Sequence, residues 1–235
     1  MPRNRGLNEI GEIPASRDRG LSGIAKGKPG FFSLEGVDGI GKSTQLAMLA
    51  EHFRKSGRDV VTVREPGGTP VSDKIRQLIL SPENPIVPTA ELLLFSAARA
   101  QLVSQVIAPA LSAAKVVLAD RFGWSTLAYQ GYGRGMDPAT IKDLFAIACG
   151  DIWPIHSFLL DLPVGSMRAR LESGGRPADR MESESAAFFE KVRRGYLAIA
   201  EEHPNRFTVV DGGQSPQAVN NAILSGLSAL LPFQG

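Results

Sequence analysis

The chain has 235 residues and a formal net charge of +2, with 43% hydrophobic and 21% charged residues. This apolar content is enough for the core of one large domain, and it excludes a fully disordered chain. The near-neutral charge argues against a general nucleic-acid binder, because such proteins carry a dense basic surface. The single cysteine, Cys149, cannot form an internal disulfide or a cysteine-rich zinc site, which favours a reducing, cytoplasmic setting.

The first 29 residues show no helical or strand periodicity and carry six basic and three acidic side chains. We predict a disordered basic tail there and a single folded domain over residues 30–235. A transit peptide is a weaker alternative, because such peptides contain few acidic residues. We find no uninterrupted apolar run that approaches the roughly 20 residues of a membrane helix, and we therefore expect no membrane association.

From residue 31 onward, short apolar runs alternate with amphipathic segments. The runs predict strands near residues 31–34, 59–63, 116–119, 157–160 and 207–210. Helices are predicted over residues 42–56, 71–80, 89–113, 137–148, 163–172 and 183–202, with a last helix after the fifth strand. Pro109 is expected to bend or interrupt the long third helix. This alternation predicts an α/β fold with right-handed crossovers and a five-stranded parallel sheet.

A glycine-rich segment follows the first predicted strand and opens the first predicted helix. Its residues, Gly36-Val37-Asp38-Gly39-Ile40-Gly41-Lys42-Ser43 and then Thr44, fit the phosphate-binding pattern G-x-x-x-x-G-K-[ST]. In such a loop the backbone N–H groups and the helix N-terminus attract phosphate. Lys42 is expected to reach the β- and γ-phosphates of a nucleotide, and the Ser43 hydroxyl to bind Mg²⁺. GTPases, motor ATPases, partitioning ATPases and small-molecule kinases share this loop, so it does not identify the reaction.

Four further segments are more specific. They are Arg64-Glu65-Pro66-Gly67-Gly68-Thr69, residues 94–102 with Phe95 and Arg99, Asp120-Arg121-Phe122, and Ser125-Thr126-Leu127-Ala128-Tyr129-Gln130-Gly131. Together with the phosphate-binding loop and in this order, they resemble a bacterial thymidylate kinase over about residues 31–231. The resemblance implies a P-loop NTPase three-layer fold with helices on both sheet faces and a small lid. It also implies that ATP and Mg²⁺ are used to convert dTMP to dTDP, with release of ADP, in dTTP synthesis.

The chemistry of such a transfer favours cations over a general base, because a phosphate acceptor is already largely ionised at neutral pH. Two polyanions must be held in line. Arg64 and Arg121 follow strand ends, where parallel sheets bind ligands, and the resemblance implies that both hold the dTMP phosphate. For each arginine the alternative is a surface salt bridge. Asp120 is implied to help place Mg²⁺ through water, and the alternative is a helix-capping aspartate.

The resemblance also implies which residues recognise the nucleoside. Phe95 would stack on thymine, with ordinary core packing as the alternative. Arg99 lies four residues later on the same helix face and would donate to thymine O4 from a cleft, outside the packed core. The remaining implied contacts are Thr126 and Gln130 with the polar edge of the base, Ser125 with the base or phosphate, and Tyr129 with the ribose 2′ position. Packing or support roles are the alternative for these four.

Asp38 is an acid inside the phosphate-binding loop, where its charge would repel phosphate. We therefore expect its side chain to point away from the phosphates. The resemblance implies that it accepts a hydrogen bond from the 3′-hydroxyl of dTMP. The alternative is a solvated loop acid.

The transition-state charge requires a mobile cation. No variable position of the phosphate-binding loop is basic, so we predict that a lid over residues 168–181 supplies the charge. That segment contains Arg168, Arg170, Arg176 and Arg180 around a Ser-Gly-Gly sequence suited to a hinge. It has extra residues relative to the family pattern, and Arg180 and Arg176 are the favoured catalytic residues. The alternative for the lid arginines is a solvated basic loop. Separately, the resemblance implies that the loop over residues 211–214 touches adenine.

Two other functions remain open from the sequence. A different P-loop kinase is disfavoured by the F-x-A-A-R and STLAYQG segments. A nucleotide-dependent switch or partitioning ATPase would not need Arg64, Arg99 and Arg121 around an acceptor. The apolar helix over residues 89–113 has more buried face than one domain requires, and the resemblance implies a homodimer through helices of this region.

Overall fold

A computed structural model describes residues 30–175 and 177–230. The predicted tail over residues 1–29 and the lid residue Arg176 lie outside the described residues. The sheet contains β1 (Gly30–Glu35), β2 (Val60–Arg64), β3 (Val116–Asp120), β4 (His156–Asp161) and β5 (Phe207–Asp211). All neighbouring strands are parallel, in the order β2-β3-β1-β4-β5. The predicted five-stranded parallel sheet is confirmed, with strand ends that differ by about one residue.

The helices in the described part of the chain follow the predicted alternation. They are α1 (Lys42–Lys55), α2 (Pro70–Leu80), α3 (Pro88–Leu102), α4 (Ala108–Ser112), α5 (Gly123–Thr126), α6 (Pro138–Cys149), α7 (Val164–Ser173), α8 (Ala186–Glu202) and α9 (Pro216–Leu230). Side-chain caps fix four helix starts in the described part of the chain, with Thr69, Asp137, Ser185 and Ser215 accepting backbone N–H bonds at α2, α6, α8 and α9.

Helices cover both faces of the sheet. All six residues of β1 are buried, although successive side chains of a strand point to opposite faces. The α1 helix packs against β1, β2 and β3 and contacts α9, which lies beside β5. The α8 helix packs against β4 and β5. The carboxyl ends of the strands therefore form one edge at which loops can meet.

The predicted long third helix consists of α3, a π-helical turn at Val103–Ile107 and the short α4. The wide turn directly precedes Pro109, whose ring would otherwise crowd the preceding turn, so the helix continues with altered geometry. The continuous segment Pro88–Ser112 is 25 residues long and is apolar enough to pass a membrane-span test by length and composition. As a candidate membrane span this segment was not predicted from the sequence, because isolated polar residues interrupt its apolar run without interrupting the helix. The helix packs against α2 and α6.

Residues 123–133 have a structure that sequence periodicity does not predict. The short α5 leads into a second π-helical segment, Leu127–Gly133, which packs along α8. Two glycines permit this close approach, because a Cβ at Gly133 would lie 2.7 Å from Phe188 and one at Gly195 would lie 2.6 Å from Tyr132. This packing places Ser125 and Tyr129 beside the ends of β1 and β3, where they contact Glu35 or Arg121. Thr126 and Gln130 contact α3 instead.

Candidate active site

The phosphate-binding loop links β1 to α1 at the centre of the sheet edge. Gly36 has φ 126°, and an added Cβ would collide with the backbone oxygen of Leu160, so only glycine fits. Val37 and Ile40 have buried side chains, so these residues offer only their backbone to a ligand. Lys42 Nζ donates to the Val37 carbonyl at 2.8 Å, which holds the ammonium group inside the loop. The predicted start of the first helix at Lys42 is confirmed.

Asp38 is oriented by the two cations beside it. Its Oδ1 lies 2.8 Å from Arg121 Nη2 and 3.8 Å from Lys42 Nζ. Burial alone would raise the pKa of Asp38, but the charges of Arg121 and Lys42 outweigh burial and hold the pKa well below its usual range. Asp38 is therefore an ionised carboxylate that is paired with cations of the site, and the solvated loop acid considered above is not what the structure shows.

Two cavities open on either side of this loop. The phosphate-loop cavity, of about 1,090 Å³, is lined by Gly39, Gly41, Lys42, Ser43, Thr44, Arg64, Asp120 and Glu182. The aromatic cavity, of about 540 Å³, is lined by Pro66, Leu80, Phe95, Arg99, Ser125, Thr126, Tyr129, Gln130 and Met181. Five residues line both, namely Asp38, Glu65, Arg76, Arg121 and Asp179. Groups bound in the two cavities would therefore meet beside two arginines.

Arg121 is fixed at this junction by backbone conformation and by side-chain contacts. Its φ is 70°, a left-handed value that a non-glycine residue rarely adopts and that often marks a functional position. The guanidinium donates to Asp38 at 2.8 Å, Tyr196 at 2.9 Å, Tyr129 at 3.0 Å and Ser125 at 3.3 Å. Because so many contacts orient it, Arg121 needs little rearrangement to meet an anion.

Glu35 supports this arrangement from below the junction and was not identified from the sequence. It is fully buried and accepts from Ser125 Oγ at 2.7 Å, Phe122 N at 2.9 Å and Ser33 Oγ at 2.9 Å. Burial raises the pKa of Glu35 to about 7, against the opposing effects of these hydrogen bonds and of Arg121. The carboxyl at the end of β1 thus holds the backbone after Arg121.

Arg76 is a second cation at the junction of the two cavities, and it was not predicted from the sequence. Its Nη1 donates to the Pro66 carbonyl at 3.0 Å, and burial and the nearby charge of Arg64 lower its pKa. Arg64, in contrast, is 60% exposed, lies 3.9 Å from Asp73 and lines only the phosphate-loop cavity. No sequence pattern indicates Arg76, because a lone arginine on a helix is usually solvated.

Ser43 and Asp120 meet as a pair of oxygen ligands. Ser43 Oγ donates to Asp120 Oδ2 at 2.8 Å, and both side chains line the phosphate-loop cavity. One hydroxyl and one carboxylate beside a phosphate site match the way proteins hold Mg²⁺, which keeps several waters and binds substrate phosphates. The described residues contain no cluster of three or more histidine, cysteine or acidic ligands.

Arg99 lies deeper than the sequence suggests. It is 2% exposed, its Nε donates to Glu65 Oε2 at 2.8 Å and its Nη2 donates to Thr126 Oγ1 at 2.8 Å. The expectation of an arginine at a cleft outside the packed core is wrong, because the guanidinium also packs over Phe122 and Phe145. Its Nη1 has no partner among the described residues, although Arg99 lines the aromatic cavity.

The other predicted base-contacting residues share this cavity. Phe95 is half-buried and lines the cavity wall, so it is not an ordinary core residue. Gln130 is buried, and its Nε2 donates to Glu91 Oε1 at 2.9 Å. Tyr129 contributes its hydroxyl to the Arg121 and Asp38 contacts.

The lid arginines occupy different settings. Arg180 was favoured as catalytic, but its Nη1 pairs with buried Glu91 at 2.7 Å and its Nε donates to the Ile79 carbonyl. Arg180 lines neither cavity, because the backbone of this segment is hydrogen-bonded to the end of α2 through Leu80. Arg170 donates to the Gly212 carbonyl at 3.0 Å, which joins α7 to the loop after β5.

Arg168 is exposed and forms no hydrogen bond or ion pair within residues 30–175 and 177–230. It lines a third cavity together with Glu182, which also lines the phosphate-loop cavity. Arg168 therefore lies in a cavity that adjoins the phosphate-loop cavity at Glu182, and no residue in the described chain pairs with it.

Known proteins resemble this chain over most of its length. A profile of the thymidylate kinase family matches residues 34–223. The chain belongs to the thymidylate kinase family. It is 47% identical over 207 residues to the thymidylate kinase of Geotalea uraniireducens (strain Rf4), covering 86% of this chain and 97% of that protein. The thymidylate kinase of Syntrophotalea carbinolica (strain DSM 2380 / NBRC 103641 / GraBd1) is 46% identical over 211 residues, covering 87% and 98%.

A solved structure supports the same assignment. The crystal structure of thymidylate kinase from Ehrlichia chaffeensis superposes with a TM-score of 0.69 at 31% sequence identity, covering 85% of this chain and 99% of that one. The P-loop NTPase fold class predicted from the resemblance is thereby confirmed.

Seen as a thymidylate kinase, the chain brings nearly all of the predicted site residues to two adjoining cavities. Of the predicted site residues within the described part of the chain, those that line neither cavity are Gly36, Val37, Ile40 and Arg180, and the first three belong to the loop itself. Arg176 lies outside the described residues. Cavity and support residues that were not predicted from the sequence include Glu35, Arg76, Glu91, Asp179 and Tyr196. A buried acid or a lone arginine carries no sequence signal until the packing is known.

Proposed function

We propose that this chain transfers the γ-phosphoryl group of ATP to dTMP, producing dTDP and ADP for dTTP synthesis. The observation that carries this proposal is the junction of the two cavities, where Arg76 and Arg121 face a phosphate-binding loop on one side and an aromatic pocket on the other. A nucleoside triphosphate bound by the loop would direct its terminal phosphate toward the junction. A monophosphate whose base enters the aromatic cavity would present its phosphate to the same cations.

The polar groups of the aromatic cavity select the base. Arg99 Nη1 is an unpaired donor, and Gln130 Oε1 has no hydrogen bond within the described residues. Thymine offers an acceptor at O4 and a donor at N3–H, which complement that donor and acceptor. Cytosine offers an amino donor and an N3 acceptor, which would face like groups. Phe95 supplies a ring for stacking against either base.

The junction residues divide the work of the transfer. Lys42 holds the donor phosphates, and Arg121 and Arg76 hold the acceptor phosphate in line while neutralising charge. Ser43 and Asp120 would hold Mg²⁺, which supplies charge neutralisation and orientation of the phosphate oxygens when bound. Asp38 accepts a hydrogen bond from the 3′-hydroxyl of dTMP, because Asp38 lines both cavities. Arg64 contributes long-range positive potential from the rim.

The lid supplies the last cation. Arg168 is the described lid arginine that is available to swing toward the phosphates, and Arg176 remains a predicted candidate. Arg180 instead ties the lid to α3 through Glu91. Closure of the lid would exclude water, so that the γ-phosphoryl group of ATP is transferred to dTMP and not to water.

The assembly is a homodimer in the cytoplasm. Apolar side chains are exposed on the two packed helices α3 and α6, with Leu93 at 52% and Ile147 at 81% exposure. Covering them with a second copy would remove that surface from water. Sedimentation velocity distinguishes a dimer from a monomer, and Ile147→Glu should shift the distribution toward monomer.

The function is tested by ADP release in a coupled assay with and without dTMP. Strong dependence on dTMP supports the kinase, whereas the same ADP release without an acceptor would support a switch or partitioning ATPase. Lys42→Ala should abolish transfer while the protein stays folded, because this lysine acts on phosphate charge. Normal turnover by folded Lys42→Ala protein would falsify the assignment of the phosphate-binding loop.

A further inference from the structure

One buried carboxylate connects the base cavity to two neighbouring segments. Glu91 lies on α3 and is 0% exposed. Its Oε2 accepts from Arg180 Nη1 at 2.7 Å and from Arg134 Nη2 at 3.0 Å. Its Oε1 accepts from Arg134 Nε at 3.1 Å and from Gln130 Nε2 at 2.9 Å. Four donors from three residues therefore converge on two oxygens.

Glu91 is ionised in this setting. Burial alone would raise its pKa, but hydrogen bonds from Arg134 and Gln130 and the positive charge of Arg134 outweigh burial, and the pKa is lowered. An ionised carboxylate has no proton to donate and can only accept. The group of Gln130 that faces Glu91 must therefore be its NH₂.

The orientation of the Gln130 amide follows from that contact. An amide has one donor end and one acceptor end, so an NH₂ held by Glu91 leaves Oε1 as the end available to the cavity. Gln130 lines the aromatic cavity beside Arg99 and Phe95. Without a fixed partner, the amide could rotate and present NH₂ to the cavity at little cost.

We propose that Glu91 is a specificity-determining positioning residue, which reads no base itself but fixes Gln130 as an acceptor and so favours bases that carry N3–H. This inference rests on the proposed function. Thymine and uracil satisfy an acceptor at this position. Cytosine, whose N3 is itself an acceptor, does not.

The substitution Glu91→Gln has a specific expected consequence. Its single side-chain oxygen will take the Oε2 position, because two charged donors converge there and only one, Arg134 Nε, reaches the Oε1 position. Its NH₂ will then lie at the Oε1 position and face Gln130. Gln130 must then turn its own oxygen toward that NH₂ and present NH₂ to the base. The preferred base pattern is thereby shifted from thymine toward cytosine.

The test compares kcat/KM for dTMP and dCMP in the full chain. For Glu91→Gln, the ratio of dTMP to dCMP should fall about 10- to 100-fold, the effect of one hydrogen bond lost on one base and gained on the other. The KM for ATP should change less than about twofold. The matched control is Glu184→Gln, which removes the other carboxylate that pairs with Arg134, at 2.6 Å, without touching Gln130. This control should leave the ratio unchanged.

A double-mutant cycle separates positioning from a general structural role. In a Gln130→Ala background, Glu91→Gln should no longer change the dTMP to dCMP ratio, because there is no amide to orient. An unchanged ratio in the single variant, or an equal fall in the Gln130→Ala background, would overturn the inference. A fall in the Glu184→Gln control would also overturn it, because it would assign the effect to the ion cluster as a whole.

Loss of a buried charge can prevent folding, so Glu91→Asp provides a second route. It withdraws the carboxylate by one methylene but keeps its charge, which the long side chains of Arg134 and Arg180 can follow more readily than the Gln130 amide can. Circular dichroism should show a folded protein with a ratio reduced about threefold or more, and an unchanged ratio contradicts the inference. The ratio of kcat/KM for dTMP and dCMP in the wild-type protein tests the proposed function separately, because a wild-type enzyme that does not prefer dTMP refutes that function. A wild-type preference that survives Glu91→Gln refutes only the role of Glu91.

Discussion

Arg99→Met should strongly destabilise the protein as well as weaken dTMP use. Methionine has similar length but no charge, so the substitution leaves Glu65 as a buried carboxylate without its ion-pair partner. Glu65 Oε2 loses the 2.8 Å bond to Arg99, and Oε1 already has no partner. Removing one member of a buried pair costs about 3–5 kcal/mol. At about 2–4 °C per kcal/mol for a protein of this size, the melting temperature should fall by about 6–20 °C.

The pH dependence of this loss identifies its cause. Burial raises the pKa of Glu65 and the charge of Arg99 opposes that rise, so removing Arg99 raises the native pKa further. The native carboxyl then retains its proton to higher pH than the unfolded one, and stability is lost as pH rises through that interval. Urea unfolding should therefore show a larger deficit relative to wild type at pH 8 than at pH 5.

Two variants complete this experiment. Arg99→Met combined with Glu65→Gln should recover part of the lost stability, because the unpaired charge is removed. Arg54→Met, at an exposed position of α1, should change stability by less than about 0.5 kcal/mol. A melting temperature for Arg99→Met within about 1 °C of wild type, or a deficit independent of pH, would refute the reasoning.

Three further outcomes follow from the site and the sequence. The pKa of Glu35 near 7 lies above its ordinary value, so this group costs stability as pH rises toward 7. In wild type, Glu35 should lower the free energy of unfolding on the order of 3 kcal/mol between pH 5 and pH 8, and Glu35→Gln should abolish that decrease in urea unfolding. Parallel pH dependences of the unfolding free energy in wild type and variant would contradict this. Ser43→Ala should raise the Mg²⁺ concentration for half-maximal rate about tenfold or more with little change in melting temperature, whereas an unchanged Mg²⁺ titration removes Ser43 from the metal site. Deleting residues 1–28 should leave activity and melting temperature nearly unchanged, because the tail has no apolar face to bury, and a loss of several degrees in the melting temperature would show that it docks.

The parts of the fold set by local sequence were predictable. Strand and helix positions follow from hydrophobic periodicity, and the phosphate-binding loop is recognised from glycine spacing next to a strand and a helix. Asp120 and Arg121 could be placed because they directly follow a buried strand, and parallel strands end at one edge. For these residues the position along the chain determines the position in space.

The parts set by long-range packing were not predictable. Arg180 was expected at the phosphates, but Glu91, far away in sequence, holds it in place. Arg99 was expected at an open cleft, yet the turn that carries Glu65 encloses it. Arg76 belongs to no motif, and its setting depends on how α2 packs. The segment Leu127–Gly133 overlaps the STLAYQG motif, but no periodicity predicts its π-helical geometry, which depends on packing against α8.

A phosphoryl-acceptor panel with the purified full chain tests the central claim most directly. The measurement is kcat/KM with ATP for dTMP, dUMP, dCMP, dGMP and UMP. A hydrogen-bond donor at Arg99 and a hydrogen-bond acceptor at Gln130 predict dTMP as the best substrate. We expect dUMP to rank second, because uracil carries the same polar edge but lacks the methyl group of thymine. Discrimination against dCMP should reach about 10⁴-fold, as expected where buried groups of a site are left without partners. Equal use of dCMP or dGMP would contradict the account.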